Sequence, residues 1–241
     1  MFNFMKKKDL LDCNPDFALK LFQSTLILGG GNITPQEEKK IKSIAEKCKS
    51  RQELLNKIIE ICGTPTTPKA RYVCAMAYSW SNKEYREKAV ESLNLYLNNE
   101  LYEGAYKNVS HASFAGRKFS LEEERNIHIS NMLNSLGKKY EELYQFEEAL
   151  NCYEKAHILD PYQGTQLHYI AKVYIKMNRL EEIKIRMEKE KQSNYYEPVK
   201  YKTILDKEYI ENSYKMNVDS ILEDINKKIE KGYVYRPRKK K

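Results

Sequence analysis

Apolar side chains recur at intervals of three and four residues along nearly the whole chain, with polar and charged residues filling the positions between them. That is the period of an α-helix with one face turned to a core. It predicts helices over roughly 15–28, 35–49, 51–62, 68–81, 83–98, 121–143, 146–159, 165–177, 180–192 and 204–231. Helix starts carry their own signals. Thr34 with Glu37, Ser50 with Glu53, Ser81 with Glu84 and Ser120 with Glu123 each place a hydroxyl to accept from the backbone three residues on, while the glutamate reaches back. Pro15, Pro35 and Pro68 stand at first helical positions, where proline forfeits no intrahelical hydrogen bond. Gly63 and Gly232 read as stops. Short connections predict antiparallel hairpins over 1–98 and over 120–232. Between them, 99–119 is an irregular connection broken by Gly104 and Gly116, with room for one short helix. The last helix sets Val218, Ile221, Ile225 and Ile229 on one side, the stripe expected of a helix that caps an array.

Small, aromatic and turn-forming residues are placed with a period near 34. Gly137 on one predicted helix and Ala149 on the next are small where two helices must approach closely. Tyr140, Phe146 and Tyr153 have the size to fill the wedge beside them. Ala156 admits a following helix, and Pro161 ends the second one. With Leu133 and Leu136, these residues occupy the signature places of one tetratricopeptide repeat over Ser130 to Gln163, so the segment resembles that family, with Leu133 where the family most often has tryptophan. A second unit continues the register through Leu167, Ile170, Ala171, Tyr174 and Leu180. It departs at Ile183, Met187 and Glu190, which stand in the places of alanine, aromatic and alanine. Upstream, Ala75, Tyr78, Ala89, Leu93 and Tyr96 have repeat-like spacing with two extra residues between the halves, and 15–62 shows no alignable signature.

The resemblance implies an all-α fold: a right-handed superhelical solenoid of stacked antiparallel helix pairs with a C-terminal capping helix. It also implies a concave groove that holds a protein or peptide, lined here by Tyr72, Met76, Asn134, Lys138, His168 and Lys172. Lysines there would supply charge, and asparagines paired hydrogen bonds to an extended backbone.

Composition changes this picture little. The 241 residues carry a net charge of +8, with 41% hydrophobic residues, enough for a real core. Setting aside Lys6, Lys7 and Lys8 and the tail residues Arg236, Arg238, Lys239, Lys240 and Lys241, basic and acidic residues balance. A body-wide cationic face for duplex nucleic acid is therefore not expected, whereas the tail over 233–241, with two tyrosines, could meet single-stranded nucleic acid or an acidic partner. The five scattered cysteines read as reduced, buried thiols of a cytoplasmic protein. No signal peptide or membrane span is expected. Heavy use of Lys, Asn, Ile and Tyr points to an AT-rich bacterial or phage genome.

Catalytic chemistry finds no nominee. "LILGGGNIT" from Leu26 lacks the lysine and spacing of a phosphate loop and reads as a connection. His111, His128, His157 and His168 have no metal-ligand spacing, and no cysteine or serine is paired with a histidine. The expectation is a non-catalytic binding scaffold without cofactor, metal or membrane partner. The alternatives are a nucleic-acid accessory protein using its basic ends, and an enzyme whose site goes unrecognised.

Overall fold

The computed structural model describes residues 13–26, 33–106, 119–160, 164–192 and 204–237, with side chains of the last helix described from Lys215 onward. Among these residues every regular element is helical. The chain divides into two compact units, Met1–Ala105 and Tyr106–Lys241.

The first unit contains α1 (Pro15–Leu26), α2 (Pro35–Lys47), α3 (Arg51–Cys62), α4 (Pro68–Ser79) and α5 (Arg86–Leu97). Its starts follow local chemistry. Thr34 and Glu37 form a complete capping box at α2, Ser50 accepts from the Glu53 amide at α3, and Thr67 accepts from Ala70 at α4. Gly63 ends α3 with φ 70°, a conformation glycine adopts without steric cost. The core joins Phe17, Leu21 and Phe22 of α1 to Leu55 and Ile58 of α3 and Val73 of α4.

One expectation, the helix start at Ser81, is corrected in this unit. Helix α1 packs chiefly against α3 and α4 and less against α2, because α2 has a single buried residue, Ile41, to offer. Backbone pairing reinforces the choice: the Asn14 amide donates to the Ile61 carbonyl at 2.9 Å. Ser81 does not cap a helix. It is buried, and its hydroxyl donates to the Ala77 carbonyl at 2.9 Å. Gln52 of α3 instead accepts from the Asn82 amide at 2.7 Å and donates to the Ser81 hydroxyl at 3.2 Å, and a 3-10 turn, Lys83–Tyr85, leads into α5.

The second unit contains α6 (Leu121–Glu142), α7 (Phe146–Leu159), α8 (Thr165–Lys176), α9 (Leu180–Gln192) and α10 (Ile204–Glu230). Ser120 and Glu123 complete the capping box of α6. Helices α6 and α7 pair where Gly137 is buried; a Cβ at Gly137 would lie 2.7 Å from Cε1 of Tyr153. Ala149 and Ala156 are fully buried. Pro161 lies outside the described residues.

The α6–α7 and α8–α9 turns are built alike. Tyr144 (φ 64°) and Asn178 (φ 60°), 34 positions apart, both take the left-handed backbone. The amides that follow reach back equivalently, Gln145 to Tyr140 and Arg179 to Tyr174, each at 2.9 Å. Helix α10 packs on α9 and α8: Val218, Ile221 and Ile225 share a core with Ile183, Met187 and Ile170. The large apolar side chains that break the repeat pattern on α9 are thus what α10 packs against.

Candidate functional site

In the first unit, Tyr72 and Met76 lie on α4, half-buried and packed against the core. The Tyr72 ring sits 5.6 Å from Tyr96 and 6.0 Å from Tyr102. Burial, helped by Tyr102, raises its hydroxyl above the usual tyrosine range.

The other four groove residues lie in the second unit, two on α6 and two on α8. Asn134 is half-buried, and its Oδ1 has no hydrogen-bond partner among the described residues; Lys138 is exposed. On α8, His168 Nε2 meets Asn217 Oδ1 of α10 at 2.8 Å. Lys172 reaches Glu141 of α6 at 3.1 Å.

Glu141 organises this region. Its side chain is 4% exposed yet accepts from Lys176 Nζ at 2.6 Å and from the Tyr153 hydroxyl at 2.7 Å. Burial pushes its pKa up, but the hydrogen bonds from Lys176 and Tyr153 and the attraction of Lys172 outweigh that and hold it below the ordinary carboxylate range. The charge is therefore kept in the interior by being fully partnered. A second polar link joins neighbouring hairpins, where buried Gln166 of α8 donates to the Ser130 hydroxyl of α6 at 2.7 Å.

His168 and Lys172 line a cavity of about 430 Å³ between α8, α10 and the segment that follows α10. Ala171, Ile175 and Ile221 give it an apolar floor; Lys176, Lys228, Tyr233 and Tyr235 give it cationic and aromatic walls. Lys228 is paired with Asp224. Partial burial first, then Tyr144, Tyr233 and Glu141, raise the Tyr235 hydroxyl above its usual range, against an opposing pull from Lys172. The structure thus brings the α8 groove residues together with the start of the C-terminal tail, two features that the sequence treats separately. Arg236 of the tail is exposed; Arg238, Lys239, Lys240 and Lys241 lie outside the described residues.

Glu141, Lys176, Asn178 and the two tail tyrosines belong to one region that no local sequence pattern joins. Asn178 alone carries a local signal, an asparagine at the turn position 34 residues after Tyr144. Among the described residues, no group of three or more His, Cys, Asp or Glu side chains could hold a metal ion, and no described helix is long and apolar enough to cross a membrane. All five cysteines are free thiols.

Fold and site together define an all-helical protein of two units, with a cavity walled by lysines and tyrosines in the second. Set against known protein families, curated proteins and solved structures, the chain finds no match.

Proposed function

We propose that this chain is a non-catalytic binding scaffold of tetratricopeptide type, which holds an extended segment of another polypeptide against the shared face of α6 and α8. The observation that carries the reading is the recurrence of one left-handed turn at Tyr144 and Asn178 with equivalent backbone hydrogen bonds. Two hairpins with the same turn at a 34-residue interval present equivalent first-helix faces, and Asn134 and Lys138 of α6 correspond to His168 and Lys172 of α8 at that same interval. Buried small residues at Gly137, Ala149 and Ala156 support the close helix approach that such stacking needs. In this reading α6 to α9 belong to a right-handed solenoid, α10 caps it, and the protein works in the cytoplasm, where free thiols persist.

The test is site-specific photocrosslinking in the source cell. A photoreactive residue replaces Lys138 or Lys172 on the groove face, and Lys155 or Lys189 at exposed positions on α7 and α9. One polypeptide crosslinked from 138 and 172, and not from 155 and 189, is expected. Equal recovery from all four positions, or none from any, refutes the proposal.

A further inference from the structure

The end of α10 hands the chain to a docked segment without regular structure. Gly232 takes φ 57°, and the amides of Gly232 and Tyr233 reach back to the carbonyls of Ile229 and Lys228, each at 2.9 Å. The helix stops there, and 233–237 continues without regular structure. Asn178 then grips Tyr235 by its backbone. The Tyr235 amide donates to Asn178 Oδ1 at 2.6 Å, and Asn178 Nδ2 donates to the Tyr235 carbonyl at 3.3 Å. A carboxamide that accepts from and donates to one residue's main chain reads an extended peptide whatever its sequence.

Side chains add selectivity. The Tyr235 ring stands edge-on to Phe146, with centroids 6.2 Å apart. Lys228 Nζ lies 5.6 Å from the centroid of Tyr233, and both tyrosines wall the cavity. Val234 between them is 58% exposed and Tyr233 40%, while Tyr235 is half-buried against Phe146. The equivalent turn of the preceding hairpin has Tyr144 at the position of Asn178, with no carboxamide there.

We propose that Asn178, Phe146 and the cavity beside α8 form a binding site for an extended Tyr-x-Tyr peptide, which 232–237 occupies in cis and which a partner segment of the same chemistry takes when they leave. This rests on the peptide-binding reading above and narrows it to a ligand class and a place. Beyond its bonds to the end of α10, the cis segment is held by the two hydrogen bonds of Asn178 and the ring contact with Phe146, but it competes at an effective concentration on the order of millimolar. A partner therefore engages only by binding better than the tail or by arriving at high local concentration.

The probe is a fluorescein-labelled synthetic peptide of residues 232–241, titrated by anisotropy into the full chain and into a chain ending at Lys231. The shortened chain is expected to bind saturably, the full chain about tenfold more weakly or worse. Asn178→Gly in the shortened chain keeps the left-handed turn but removes the carboxamide, and is expected to cost about tenfold. A probe with both tyrosines replaced by serine keeps every positive charge and is expected to lose binding by a similar factor. No binding to a shortened chain that keeps its helical circular dichroism, equal binding by both chains, or equal binding of the serine probe overturns the proposal.

Should the shortened chain fail to fold, amide hydrogen exchange of the full chain decides. The Tyr235 amide is expected to be protected in the wild type and to lose protection in Asn178→Gly; an amide that exchanges alike in both overturns the proposal. Failure here leaves the photocrosslinks at 138 and 172 unaffected, so the two readings fail separately.

Discussion

Replacing Gly137 by alanine tests the close approach of α6 and α7 directly. In an isolated helix the change stabilises by about 1 kcal/mol. Here the new methyl would sit 2.7 Å from Cε1 and 3.0 Å from Cζ of Tyr153, closer than carbon atoms approach without something moving. The ring cannot move cheaply. Tyr153 is 1% exposed among the core residues of α7 and α8, and its hydroxyl is tied to Glu141 at 2.7 Å. Overpacking of this kind costs about 1–3 kcal/mol, and a displaced ring weakens a hydrogen bond to a charged group worth about 1.5–3 kcal/mol. Against the helical gain, the net effect is a destabilisation of about 2–3 kcal/mol. Urea unfolding with hydrogen exchange on α6 and α7 reads it out in the second unit, apart from Trp80 of the first. The decisive control is Gly137→Ala in a Tyr153→Ala background. With the ring gone the methyl has room, so the same change should now stabilise by about 1 kcal/mol. Should Gly137→Ala stabilise the wild type, the tight crossing inferred from the small residues is wrong.

Other consequences can be measured alongside. Burial lowers the His128 pKa to about 4, and burial, partly offset by Gln166, lowers that of His157. The unfolded chain therefore takes up protons below about pH 6.5 that the folded chain refuses, so stability falls with acid, by about 3 kcal/mol for His128 between pH 6.5 and 4. His128→Phe should flatten the profile in that window, and an unchanged slope would refute the assignment. Glu141→Gln should destabilise by about 2 kcal/mol, since Tyr153, Lys172 and Lys176 lose the charge that orders them; chemical denaturation of the single and of the double variant with Gly137→Ala should give non-additive losses. In the folded protein Cys13 and Cys48, half-exposed, should react with a thiol reagent well before the buried Cys62, Cys74 and Cys152. Burial pushes Cys152 up to about 11, so a mass spectrum showing it among the first labelled would contradict its place in the core.

What was legible in the sequence was local. The helices Phe146–Leu159 and Leu180–Gln192 run over the spans that periodicity assigns them, because each begins just after a tight left-handed turn and carries apolar residues at helical spacing on one face. The boxes at Thr34 and Ser120 likewise needed only four consecutive residues. Features that depend on distant residues were not legible. Ser81 fits a capping motif over four residues, yet Gln52, some 30 positions away, takes over the turn and leaves Ser81 to bond backward into its own helix. Which helix α1 packs on is not legible for a similar reason: α2 has the right length and start, but its exposed, charged sequence leaves α1 to find its main apolar partner in α3.

The candidate site divides along the same line. A repeat register can name His168 and Lys172, because it needs only the phase of one helix. It cannot name what lies opposite them, since Asn178 and Tyr235 are separated by 57 positions and no period connects them. The two tyrosines after Gly232 read in isolation as part of a basic tail with stacking potential. In place, the φ of Gly232 turns the chain off the helix and the Asn178 carboxamide fixes it within reach of Phe146. Tyr233 and Tyr235 then line one cavity together with residues of α8 and α10. A peptide that binds here must supply what those residues supply: an exposed main-chain amide and carbonyl for Asn178, and flat aromatic rings over the lysine-flanked cavity. Affinity for any such ligand is therefore set by the difference between its contacts and those of the tail, so variants that loosen the tail should raise apparent affinity even where they touch no groove residue.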